Sequence, residues 1–249
     1  MMKRIIGLLS LCAIFGAHAT PSTIDDKKRN RTIPLEITMP TNETQCTAQT
    51  QCKVAFINAG YRVEHDKYQF ISKLLNQRGY LTVAIAHELP GDPPLSITGK
   101  LFETRQENWL RGTVTIAVVH EQLKQKYPHY NFDQLMLIGH SNGGDISSLL
   151  ASQKVSFIKD IITLDHRRVP LPRTRDIRVL SIRASDYPAD PGVLPTLAEQ
   201  QKYQSCVVTI DKSRHNDMSD YGPQWLKTRI NRLIELHLDD TDCEALKAI

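Results

Sequence analysis

Residues 135–150 read LMLIGHSNGGDISSLL, and their interpretation decides the fold. Leu135–Ile138 is a short apolar run with the character of a buried strand. Past the glycines, Ile146, Leu149 and Leu150 recur at helical spacing. Between the two lies Gly139-His140-Ser141-Asn142-Gly143-Gly144, a lone serine among glycines where a strand becomes a helix. Glycine suits such a turn because a Cβ at the flanking positions would strike the neighbouring strand and helix.

Working outward, the same alternation recurs. "TIPLEITMP" alternates apolar and polar residues like a half-exposed strand. "KVAFINAG" (53–60) and "YLTVAIAHELP" (80–90) read as buried strands around "DKYQFISKLLNQRG", a helix ending at Gly79. A long amphipathic helix is expected from about Thr104 to Lys126. Beyond the central stretch, "IKDIITLDH", "IRVLSIRAS" and "CVVTIDKSRHND" are strands, "LPTLAEQQKY" is a short helix and "PQWLKTRINRLIELHL" the closing one. Strands alternating with helices imply an α/β fold, a mostly parallel sheet with helices on both faces. In such sheets polar groups at the carboxyl ends of strands converge. Here those ends carry Asn58 to Tyr61, Ser141, Asp186 with Asp190, and His215.

Gly139–Gly143 fits G-x-S-x-G, the nucleophile elbow, which lifts a serine hydroxyl clear of the sheet at a helix N-terminus. A serine hydroxyl needs a base, and the base needs an orienting acid. His215 follows the last strand and is the expected base. His87 and His166 also follow strands, but earlier, and His140 is expected to pack under the elbow. For the acid, Asp186 lies nearest the end of the penultimate strand and is preferred; Asp190 and Asp165 are the alternatives.

The order Ser141, Asp186, His215 resembles that of the α/β-hydrolase superfamily, from about residue 32 to 240. The resemblance implies a single domain and ester hydrolysis through an acyl-enzyme, with no metal or organic cofactor. A peptidase, a thioesterase or a non-catalytic binding protein on the same fold are the competing readings. It also implies an oxyanion hole from the backbone N–H groups of Asn142 and Tyr61. In Asn58-Ala59-Gly60-Tyr61, Ala59 replaces the family's usual histidine. Only about ten residues separate the "IITLD" and "IRVLS" strands, so no lid is expected and the acyl substrate is small or exposed. Arg167 and Arg168 begin that loop, as solvated charges or as ligands for an anionic substrate group.

The 249 residues are 41% hydrophobic and 23% charged, an ordinary globular balance. The net charge of +4 falls to +2 without Lys3 and Arg4, too little to argue for nucleic acid or an anionic membrane. Those two residues, the apolar "IIGLLSLCAIFG" and Ala17-His18-Ala19 read as an export signal over residues 1–19, cut before Thr20. The mature chain is expected in the periplasm or outside the cell, with no stable insertion into a membrane. Residues 20–31 are polar and expected to be flexible, ahead of one domain over 32–249. Without Cys12, four cysteines remain (Cys46, Cys52, Cys206 and Cys243), enough for two disulfides in one of three pairings.

Overall fold

The computed structural model describes residues 19–249. The expected export signal falls on residues outside that span, apart from Ala19. One eight-stranded sheet runs through the molecule in the order β1-β2-β4-β3-β5-β6-β7-β8. Its strands are β1 (Ala19–Asp26), β2 (Arg31–Thr38), β3 (Cys52–Asn58), β4 (Tyr80–Ile85), β5 (Tyr130–His140), β6 (Ile158–Leu164), β7 (Arg178–Arg183) and β8 (Ser205–Thr209). From β4 to β8 every pairing is parallel, while β1–β2 and β2–β4 are antiparallel.

Period-two alternation gives this sheet two buried faces. Val54 and Phe56 of β3, with Leu135 and Leu137 of β5, face one core; Ala55, Ile57, Met136 and Ile138 face the other. The first core is covered by α3 (Gln106–Lys126) and α4 (Asn142–Ser152), the second by α1 (Gln69–Gln77) and α6 (Gln224–Leu238). Trp109, Ile116 and Leu123 form the buried stripe of α3, at the spacing a helix needs to lay one side on a sheet. The short helices α2 (Leu101–Thr104), α5 (Leu197–Tyr203) and α7 (Cys243–Lys247) complete the chain. The segment between β6 and β7 contains neither helix nor strand.

The segment 20–31, expected to be flexible, is ordered. It supplies β1 and a turn into β2, with Asn30 at φ 51°. Polarity misled because β1 is an edge strand: Ile24, opposite Ile33, is its buried apolar contribution. Arg29 then ties the turn to α3, donating to Arg111 O at 3.0 Å and Thr115 Oγ1 at 3.1 Å.

Two disulfides, Cys46–Cys52 and Cys206–Cys243, settle the pairing. Among the described residues, no helix is long and apolar enough to cross a membrane.

The chain moves from β3 outward to β4, then returns to place β5 on the other side of β3. This reversal leaves a crevice at the carboxyl ends of β3 and β5, where such sheets gather ligands.

Candidate active site

Ser141 sits in that crevice with φ 50° and ψ −117°, a strained backbone for a side chain larger than glycine. Its surroundings hold the strain in place. Ser141 N donates to Leu164 O at 2.9 Å, and Ser141 O accepts from Asp145 N at 3.0 Å. The glycines are demanded by close backbone approach. A Cβ on Gly143 would lie 2.0 Å from Asn58 O, and one on Gly139 would lie 2.4 Å from Gly143 O.

His215 meets Ser141 across the top of the sheet, its Nε2 2.9 Å from Ser141 Oγ. Its Nδ1 lies 2.6 Å from Asp165 Oδ2. A carboxylate there holds the proton on Nδ1 and leaves Nε2 to accept from the serine hydroxyl.

The acid facing the imidazole is therefore Asp165, the first residue past β6, and not the preferred Asp186. Asp186 stands three residues beyond β7 on an exposed loop. Both of its oxygens accept from the backbone N–H of His215, at 2.9 and 3.0 Å, so it fixes the loop and does not touch the ring. Asp190 pairs with Arg168. Asp165 has no solvent exposure. Burial alone would raise its pKa; the hydrogen bond with His215 and the charge of Arg183 outweigh that and hold it below the usual carboxylate range. Arg183 binds the second oxygen at 2.7 Å, and Ala184 N donates to the same oxygen at 3.0 Å. Arg183 was not anticipated; nothing in "IRVLSIRAS" distinguishes a buried arginine.

His140 does pack under the elbow, and it links three loops. Tyr68 Oη accepts from Gly60 N at 3.0 Å and lies 2.8 Å from His140 Nδ1. His140 Nε2 lies 3.0 Å from His215 O. Burial, helped by the positive side of His215, pushes the His140 pKa down to about 3. The neutral ring thus donates from Nε2 to His215 O and accepts from Tyr68 at Nδ1. His87 and His166 are likewise held neutral, each pushed down to about 3, chiefly by burial. His87 Nε2 donates to Asn58 Oδ1 at 2.8 Å, and Asn58 Nδ2 donates to Ser147 Oγ at 2.9 Å, bracing the end of β3 against α4.

Asn142 opens α4, so its backbone N–H has no carbonyl one turn earlier in the helix to bond. Its side chain is fixed by Trp109 Nε1, which donates to Oδ1 at 2.9 Å, and by Asn108 Oδ1, which accepts from Nδ2 at 2.9 Å. On the opposite wall, a Cβ on Gly60 would lie 3.4 Å from Ser141 Cβ and 2.8 Å from His140 Nδ1, so the chain leading into Tyr61 runs past the serine. Tyr61 itself is anchored through its hydroxyl, which accepts from Leu95 N at 3.1 Å. A cleft of about 530 Å³ opens beside Gly60, lined by Ala59, Arg62, His65, Glu88 and Leu89 among others. Another cavity, of about 570 Å³, lies at the amino end of β7 and β8, the opposite end of these strands from Ser141.

With this arrangement of sheet and elbow, the chain matches many solved hydrolase structures. The chain has the α/β-hydrolase fold. It superposes on an S-formylglutathione hydrolase from Agrobacterium tumefaciens with a TM-score of 0.61 at 12% identity, covering 94% of this chain and 99% of that one. A fungal esterase from Rhizomucor miehei gives 0.61 at 14% identity over 93% and 84% of the two chains. A dienelactone hydrolase from Anabaena variabilis gives 0.56 at 12% identity over 87% and 95%. At these identities the likeness carries the α/β-hydrolase fold alone. No family model matches the sequence. No curated protein matches it either.

Proposed function

We propose that this α/β-hydrolase-fold protein is a serine hydrolase that cleaves carboxylic esters. Ser141 attacks the acyl carbon while His215 Nε2 takes its proton. The resulting imidazolium is stabilised by the ionised Asp165. Backbone N–H groups of Asn142 and Tyr61 receive the oxyanion, and His215 returns its proton to the departing alkoxide. Water, activated by the same imidazole, then releases the acid from the acyl-enzyme. The observation carrying this reading is the continuous run from Ser141 Oγ to His215 at 2.9 Å and on to Asp165 at 2.6 Å. A binding protein has no use for a strained serine aligned on an imidazole and a buried carboxylate. Thioester or peptide cleavage would use the same groups.

We also read the mature chain as exported, which the two disulfides support.

A fluorophosphonate probe tests the chemistry. The oxidised protein should label, and Ser141→Ala should abolish labelling. A folded wild type that resists the probe would remove the hydrolase reading. A p-nitrophenyl ester series of rising acyl length then separates a small acyl site from a long one.

A further inference from the structure

Four arginines surround the elbow, and two of them are spoken for. Arg183 pairs with Asp165, and Arg168 with Asp190. Arg105 and Arg167 have no carboxylate partner among the described residues, although both are half-buried. Arg167 stands two residues after Asp165. Its guanidinium carbon lies 4.8 Å from the centre of the Tyr187 ring, and that ring meets His215 edge-on with centroids 6.2 Å apart. Arg167 is therefore one aromatic ring away from the imidazole that faces Ser141.

Arg105 approaches from the other wall. It immediately precedes α3, and its Nε donates to Ser96 O at 2.8 Å. One turn on, Trp109 N donates to Arg105 O at 3.1 Å, and Trp109 Nε1 reaches the side chain of Asn142, the neighbour of Ser141. The buried carboxylate of Asp145 attracts Arg105, but one of its oxygens accepts from the backbone N–H groups of Arg168 and Val169 at 2.8 and 3.0 Å, and among the described residues it forms no ion pair with either guanidinium. The arginines also feel one another: burial and then repulsion from Arg168 and Arg167 lower the Arg105 pKa, against the attraction of Asp145 and Asp190. Positive charge withdrawn from water without a partner is unfavourable, and an anion bound between the two groups would relieve it.

We propose that the ester substrate carries a carboxylate, which Arg105 and Arg167 grip while Ser141 attacks the ester carbonyl. Planar guanidinium groups suit a carboxylate better than a point charge would. The inference rests on the hydrolase reading and adds the class of substrate to it. Nothing in it depends on whether the carboxylate lies on the acyl or the alcohol side.

The test compares matched esters. The p-nitrophenyl ester of cyclohexanecarboxylic acid is set against its analogue with a trans carboxylate across the ring, where the anion cannot reach its own ester carbonyl. Acetate esters of p-nitrophenol with and without a ring carboxylate probe the alcohol side. In at least one pair, kcat/KM should favour the anion about tenfold, as expected for a charge-assisted contact. That ratio should shrink as salt is added. In Arg105→Gln/Arg167→Gln it should fall to about one, and in Arg175→Gln, an exposed arginine before β7, it should persist. A wild-type ratio of one or less in both pairs overturns the proposal, as does a preference that survives in the double variant.

Competitive inhibition of wild type provides a reading independent of how the variants fold. Where the acyl pair shows the preference, the cyclohexane dicarboxylate should inhibit about tenfold better than the monocarboxylate, and equal inhibition there overturns the proposal. Cleavage of the neutral esters without anion preference removes this inference alone. Absence of both ester cleavage and probe labelling removes the hydrolase reading, and this inference with it.

Discussion

Asp165 leaves β6 at φ 48°, a backbone region that side chains larger than glycine seldom occupy, and its carboxylate meets the His215 ring from there. The sequence placed an aspartate at the end of "IITLD" but offered no reason to prefer it over Asp186. Which loop folds back over the sheet is a tertiary fact, and both residues follow strands. The structure gives them separable tasks, so their variants should behave differently. On the proposed mechanism, Asp165→Asn removes the charge that stabilises the imidazolium, and it leaves Arg183 with a weaker partner. Ester turnover should fall about 10³–10⁴-fold. Asp186→Asn keeps an oxygen for the His215 backbone N–H and should cost less than about tenfold. Steady-state kinetics on one neutral ester, with circular dichroism to establish that both variants fold, decides it. Equal losses would mean that the ring does not depend on Asp165.

The element that organises the site is α4 with the turn before it. Ser141 holds a backbone conformation worth about 1–3 kcal/mol of strain, and its backbone hydrogen bonds with Leu164 of β6 and Asp145 of α4 keep it there. Gly143→Ala would drive a Cβ into Asn58 O, so urea unfolding should show a loss of more than about 3 kcal/mol, or no folded protein at all. The same helix carries a pH-sensitive group. Asp145 is buried, and desolvation pushes its pKa up to about 6 from an ordinary 3.8, against the pull of its two backbone donors and of Arg105 and Arg168. A carboxyl with a raised folded pKa contributes its stability below the unfolded value and loses it as pH rises through the folded one. The wild type should accordingly lose up to about 3 kcal/mol between pH 4 and pH 8 through this group. Asp145→Asn should remove that slope, raising the melting temperature at pH 8 and leaving it nearly unchanged at pH 4. A variant whose melting temperature differs from wild type by the same amount at both pH values would show that the carboxyl does not titrate in this range.

At the scale of the whole molecule, the parallel sheet was legible because burial on two faces demands near-continuous apolar strands, and β3 to β8 have them. The elbow was legible for a related reason: only glycines fit where β5, α4 and β3 touch. The edge was not, since β1 contributes one apolar contact and otherwise reads as a polar tail. Helix α7 was missed as well; five residues carry too little periodicity, and the helix is positioned by a covalent bond. Cys243, its first residue, joins Cys206 in β8 and holds the C-terminal segment against the sheet, with Leu246 buried in the second core. The two disulfides close loops of different size, with sequence separations of 37 for Cys206–Cys243 and 6 for Cys46–Cys52. If they act by restricting the unfolded chain, the longer loop should contribute about 4 kcal/mol and the shorter about 2. Replacing each pair by serine and measuring urea unfolding tests this ordering. Cys206→Ser/Cys243→Ser should lose roughly twice as much as Cys46→Ser/Cys52→Ser. It should do so without loss of probe labelling at Ser141, because α7 lies at the amino end of β8 and the serine at the carboxyl end of β5. A larger loss from the short loop would mean that the turn around Cys46, packed against the first core and reached by Tyr130 Oη, stabilises the native state more than chain entropy allows.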